Sequence, residues 1–394
     1  MKKVLATILA LVMALGLTTA AWADATTVEA STSELATGTY ALTADVTLTE
    51  GKLTIPANAD VTLDLGTFKL IGSIVNKGKL TVTGTGSVVA TAAGTAAVAN
   101  FPGGTVTLSG GTYESANWYV IKNMGEMYIN GPVNVQKPQN STDTSSLIDN
   151  GWASGSDMVA GVSVPAEANK AKLVISSGTF TGRSGEKSCS VVKNDDYGEL
   201  EISGGTFNST ANTGTSNATT LLNWNIARIS GGTFRGMYPI SNGAYNNEAD
   251  KGQITITGGE FFGTSTIFGN GQGGDGKGAV TVSGGTFTAP ALGAGYENVR
   301  GGYTLTVSGG TFKDATGAKV DVSHYLADGK QQNADGSVST PSSGGYYYYQ
   351  PTTDTKTTDT KGSPKTFDAG IALYVGMALT SAAGVAFVGK KRED

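Results

Sequence analysis

The chain has 394 residues, among them 57 Gly but only 10 Pro, and a formal net charge of −5. Glycine at that level without a three-residue period excludes collagen and favours a turn-rich β chain, while the negative balance disfavours a phosphate-backbone partner, so no nucleic acid is expected. Cys189 and His324 are the only residues of their kinds, which excludes an internal disulfide, a Cys-based zinc cage, a catalytic triad and a two-His metal site within one chain, and no cofactor is expected.

Residues 1–23 read as a signal peptide. Lys2 and Lys3 give the positive start, Val4 to Leu17 the apolar run, and Ala21-Trp22-Ala23 the small-x-small site for cleavage before Asp24. The apolar run is too short to span a bilayer. Residues 24–45 read as an N-terminal cap region, and residues 46–315 carry a repeat. Gly-Gly-Thr-Phe corners recur at Gly110-Gly111-Thr112-Tyr113, Gly204 to Phe207, Gly231 to Phe234, Gly258-Gly259-Glu260-Phe261, Gly284 to Phe287 and Gly309 to Phe312. Ser177-Gly178-Thr179-Phe180 is a degenerate copy, and from Phe180 the aromatic steps are 27, 27, 27, 26 and 25 residues. Weaker copies precede them around Phe68, Val88 and Val133. A fixed period of this size signals a solenoid.

Strict alternation precedes each corner, as in Ile254-Thr255-Ile256-Thr257 and Val280-Thr281-Val282-Ser283, the mark of a strand with one buried face. Such strands are too short to hold alone. Stacked about 4.8 Å apart, ten coils make a rod roughly 45–50 Å long. The Gly pair supplies the sharp bend, because glycine accepts positive φ. The aromatic two positions later returns to the inner face, so Tyr113, Phe180, Phe207, Phe234, Phe261, Phe287 and Phe312 are expected to form a core column, the other reading being an outward platform for sugars. Asn76, Asn100, Asn123, Asn150, Asn194, Asn223, Asn242 and Asn270 recur with the coils and are expected to stack as a turn-stabilising ladder. Residues 151–170, with Trp152 and Met158, interrupt the period and are expected to project as a functional loop, the other reading being a loosely ordered excursion with no partner.

Beyond the array, residues 316–338 read as a C-terminal cap hairpin made by Val320-Asp321-Val322 and Asn333 to Val338, with His324 in a structural role. Residues 339–362 have a Ser/Thr/Tyr-rich linker composition that includes Tyr346 to Tyr349, for which a contact patch is the other reading. Residues 363–394 complete the chain. Ala369 to Gly389 is an uncharged apolar stretch of 21 residues, long enough for a transmembrane helix, and Lys390, Lys391 and Arg392 follow it as a basic tail.

Strand, Gly corner and Asn turn together resemble the right-handed, pectin-lyase-like parallel β-helix proteins, especially the repeat-rich surface proteins of gut Gram-positive bacteria, over residues 40–340. The resemblance implies an all-β, right-handed parallel β-helix of about ten coils followed by the C-terminal transmembrane helix. Ser363-Pro364-Lys365-Thr366-Phe367-Asp368, with the apolar stretch and basic tail, is similar to the wall-sorting signal of Gram-positive bacteria. That likeness implies a sortase partner, cleavage after Thr366, transfer of Thr366 to peptidoglycan, and loss of everything from Phe367 onward. Ser363 stands where the family has Leu and Phe367 where it has Gly, which leaves a variant sortase class or a plain membrane anchor as the two readings.

Chemistry-bearing motifs are sparse. Gly269-Asn270-Gly271-Gln272-Gly273-Gly274 matches a dinucleotide Gly pattern but lacks the following helix, so it reads as a loop, and Asp275 lacks the recurrence of a calcium repeat. Asp195-Asp196 is the best acidic pair, yet neighbours on a strand point to opposite faces. Lys193, Arg228 and Arg235 do not fall in one column of the repeat. The expected function is a surface-anchored, non-enzymatic adhesin or structural rod with a glycan or host-surface ligand, and the alternative is a polysaccharide lyase or glycoside hydrolase.

Overall fold

The computed structural model describes residues 25–138, 141–152, 171–182, 190–209, 219–243, 250–270, 278–293 and 303–341. The chain divides into two units, residues 1–341 and 342–394, and all described residues lie in the first.

Alternation fixes the architecture. Leu173 and Ile175, Leu200 and Ile202, Ala227 and Ile229, and Ile254 and Ile256 are buried, while the residues between them are half-buried or exposed. Each such strand pairs in parallel with its counterpart one coil away, in the register Leu173–Leu200–Ala227–Ile254–Val280–Leu305. Twelve parallel strands, from Thr26–Thr27 to Tyr303–Val307, make this first face, called face A. A second sheet of 18 strands holds two ladders, faces B and C, joined through the long strands Val46–Ile55 and Lys69–Asn76 that run along both. Face B then continues through Ser87–Ala90 to Thr311–Lys313, and face C through Val98–Asn100 to Phe268–Asn270. The described body is therefore all-β, with near-continuous parallel ladders winding as a β-helix.

Face A has two rungs more than the ten coils expected, because Thr26–Thr27 and Gly38–Ala41 pair in parallel with it, Tyr40 lying opposite Leu63. These residues fall in the segment read as cap. Gly38-Thr39-Tyr40-Ala41 lacks the Val/Ile/Leu alternation that marks the later strands, so the sequence hides them. Twelve rungs span about 53 Å at ~4.8 Å each.

Both glycines of a corner are required, for different reasons. Gly205 has φ +98°, a left-handed conformation that side chains rarely adopt. Gly204 has no such φ, but a Cβ there would lie 2.2 Å from the carbonyl oxygen of Ser176 in the preceding coil. The corner backbone of each coil thus rests directly on the one before it.

Behind the corners, Phe180, Phe207, Phe234, Phe261, Phe287 and Phe312 stack face to face, with centroids 4.5–4.9 Å apart and planes within 8°. All are fully buried, as is Tyr113. Tyr113 is not in ring contact with Phe180, because Val135 occupies the rung between them. The column runs downward as Val135, Tyr113, Val88, Leu70 and Val46, so Val133 and Phe68 are each two residues out of register. Gly131-Pro132 replaces the Gly pair there, and the strand begins only at Asn134. Burying each Phe contributes roughly 1.5–3 kcal/mol. The Tyr113 hydroxyl donates to the Gly110 carbonyl at 2.9 Å, and burial pushes its pKa far above the ordinary value.

The closing hairpin pairs Gln331–Gln332 with Val338–Ser339, and Val320–Val322 is not one of its strands. Instead the Val320 amide donates to the Phe312 carbonyl at 3.0 Å, and the Phe312 amide donates to Gly336 at 2.9 Å. The cap therefore covers the last rung of face B. His324 sits exposed in a single 3-10 turn, Ser323–Tyr325.

Candidate binding groove

On face C the strands from Lys69–Asn76 onward each end in Asn, and from Asn76 to Asn242 its side chain shares the inner face with an apolar residue two positions earlier, as with Ile121 and Asn123. These amides are fully buried. Nδ2 of Asn76 donates to Oδ1 of Asn100, and the relay continues through Asn123, Asn150, Asn194, Asn223 and Asn242 at 2.7–2.8 Å per step. Asn270 follows Asn242 in backbone register. The same Nδ2 groups also reach main-chain carbonyls of the next corner or face A strand, for example Asn123 to Lys172 at 3.0 Å. The ladder is thus made of strand residues that fasten the corner rather than of turn residues. Asn76, its first rung, has Ile55 below it, and its Oδ1 receives no donor.

Strand alternation turns the residue before each Asn outward. Lys122, Asp149 and Lys193 occupy that position on successive rungs. Lys122 and Asp149 are nevertheless fully buried and form an ion pair, with the Lys122 ammonium 5.2 Å from the Tyr119 ring centroid. Lys193 pairs with Asp195 at 2.7 Å and lies 4.3 Å over Trp224. Asp196 pairs with Lys251, which lies 4.4 Å over Tyr197. Asp195 and Asp196 are therefore both buried and engaged by separate lysines. Trp152, expected to project, is buried and stacks on Tyr197 at 5.3 Å with Met124 and Ala171 nearby. An indole this large gains more from an apolar neighbour than from water. Met158 lies outside the described residues.

The three basic candidates stand on three different faces: Lys193 on C, Arg228 on A and Arg235 on B. Arg228 lies beside Glu201 in register, in a shallow groove of about 390 Å³ that also includes Thr255. Arg235 belongs to the more developed site. Facing outward behind the Phe column, Thr181, Asn208, Arg235, Phe262, Thr288 and Lys313 follow one another on successive rungs. The first five line a groove of about 870 Å³, with Ser209, Gly236, Gly263, Thr264, Ala289, Pro290 and Ala315 completing it. Small residues leave the space, and hydroxyl and amide groups edge it. The Arg235 guanidinium lies 3.9 Å over the Phe262 ring. Ser209 is 8 % exposed and its Oγ has no hydrogen-bond partner.

Sequence reading singled out Arg235 but not Phe262, Asn208 or Ser209. The consecutive aromatics Phe261-Phe262 carried the signal, since two neighbours on one strand cannot both face the core. Among the described residues, no cluster of His, Cys, Asp and Glu is arranged to hold a metal. Among them also, no helix is long and apolar enough to cross a membrane. The signal-cleavage residues Ala21, Ala23 and Asp24, the sorting residues Ser363 to Asp368 and the 369–389 stretch lie outside the described residues, as do Cys189, Asp275 and Tyr346 to Tyr349. Comparison with known proteins returned no matching family model, no matching curated protein and no matching solved structure.

Proposed function

We propose that this protein is exported, held at the cell surface through its C-terminal segment, and acts there as a non-enzymatic rod that contacts glycans through its lateral faces. Right-handed winding is part of this reading, from the general preference of parallel crossovers. The observation that carries it is the face B groove: an open channel edged by hydroxyl, amide and guanidinium donors on a scaffold whose geometry is fixed by stacked rings. Sugars present the complementary pattern of hydroxyl edges and apolar C–H faces. The buried carboxylates support the non-enzymatic part, because Asp149, Asp195 and Asp196 are each committed to a lysine. The export and anchoring parts rest on the sequence signals at the two ends.

The test is a glycan array probed with the intact chain, beside assays for reducing ends and unsaturated products from uronic-acid polymers. Saturable binding without product formation is expected. Product formation would establish the polysaccharide lyase or hydrolase reading instead, and neither signal would leave a passive coat component.

A further inference from the structure

The face B groove has an electrostatic signature that narrows its ligand, taking as given the proposal that the rod contacts glycans. Of the twelve described residues that line it only Arg235 is charged, in a protein whose net charge is −5. Glu260, which shares a strand with Phe262, receives a hydrogen bond from the Thr233 hydroxyl at 3.4 Å. Among the described residues, no carboxylate lines the groove.

The way Arg235 is held matters as much as its charge. The guanidinium carbon lies 3.9 Å over the Phe262 ring centroid, and a guanidinium held against a ring in this way keeps an N–H fork with which to grip a carboxylate. Phe262 is therefore a positioning residue for Arg235. The second feature is Ser209, one coil below. Its amide donates to the Arg235 carbonyl at 2.7 Å, which ties the two backbones together; the residue lines the groove, and its Oγ is buried without a hydrogen-bond partner. A buried hydroxyl left unpaired costs stability unless a ligand satisfies it.

We propose that this groove binds an oligosaccharide bearing a single carboxylate sugar, with the carboxylate on the Arg235 fork and sugar hydroxyls on Ser209, Asn208 and Thr264. The neighbouring rungs Thr181, Asn208 and Thr288 are uncharged, and the next cation in the column, Lys313, is three rungs from Arg235, about 14 Å at ~4.8 Å per rung. A polymer acidic at every sugar would leave most of its charges without a partner. One charge on an otherwise neutral chain fits.

Binding of sialyllactose, lactose and trigalacturonate to the intact chain by titration calorimetry tests this. Sialyllactose is expected to bind, with lactose weaker by at least about tenfold, the ratio a charge-assisted bidentate contact of ~1.5–3 kcal/mol gives. R235A is expected to erase the difference between the two sugars, R235K to restore only part of it, and F262A to weaken sialyllactose by a larger factor than it weakens lactose. Arg235 is exposed, so R235A removes no core packing. Equal binding of lactose and sialyllactose, tighter binding of trigalacturonate, or sialyllactose binding indifferent to R235A would each overturn the assignment while leaving a glycan-binding rod intact. Failure of all three sugars alongside hits elsewhere on the array would overturn the site alone, and failure of the whole array would overturn the reading beneath it.

Discussion

Lys122 and Asp149 are both withdrawn from water and paired with each other, with Lys193 on the next rung beyond Asp149. One carboxylate oxygen, Oδ1 of Asp149, has no hydrogen-bond partner. Taking either charge away strands its partner in a low-dielectric site, whereas replacing both with apolar groups removes the desolvation cost as well. Asp149→Ala is therefore expected to destabilise the fold by about 3–5 kcal/mol, and the double variant Lys122→Leu/Asp149→Leu to recover most of that. Urea denaturation followed by circular dichroism measures both, and a double variant no more stable than the single one would contradict this account. The asparagine relay obeys a related rule: each interior amide satisfies neighbours above and below, so its worth lies in leaving no buried polar group alone.

At the scale of elements, the C-terminal cap is built from short Asp-headed turns. Asp335 is held below its ordinary pKa chiefly by the Ser337 hydroxyl and amide, Asp321 by the Ser323 amide and hydroxyl, and Asp314 by the Thr316 hydroxyl with the amides of Ala318 and Thr316. A carboxyl whose folded pKa is depressed stabilises above its unfolded value, and that contribution is lost as pH falls through the folded one. The cap is thus expected to loosen in acid before the central coils do. Amide hydrogen exchange at about pH 7 and about pH 3, corrected for intrinsic rates, checks this, and equal loss of protection in cap and central coils would refute it. The cap also shows where sequence reading ends. Its Asp-Gly-Ser turn was legible, but Gln331-Gln332 has no apolar signature to mark it as a strand, so Val320–Val322 drew the assignment. The 27-residue aromatic period was legible because each Phe occupies the same place in its coil. The lower column escaped because Val135 and Leu70 are aliphatic and lack the Gly-Gly punctuation. The buried ion pairs escaped because charge in a sequence says nothing of what folds over it, and the groove because it is formed by residues brought together only by register.

In the described body each coil packs chiefly on its neighbours, with the Asp196–Lys251 pair reaching across two rungs, so stability is approximately additive along the axis. Residues 258–283 form one such unit of 26 residues. Removing them joins Thr257 to Gly284, sets Phe234 against Phe287 and Ile254 against Leu305, and breaks none of the ion pairs described. The shortened chain is expected to fold with an unchanged circular dichroism signature and a smaller denaturant m-value, since m follows the surface exposed on unfolding. An unfolded or molten product would show that the coils are not interchangeable.

Because every rung receives the one before it in the same manner, distance becomes an adjustable quantity. A lineage could tune the length of the described body in increments of ~4.8 Å, by gaining or losing whole copies. It could do so without inventing a new junction, a new core or a new lid.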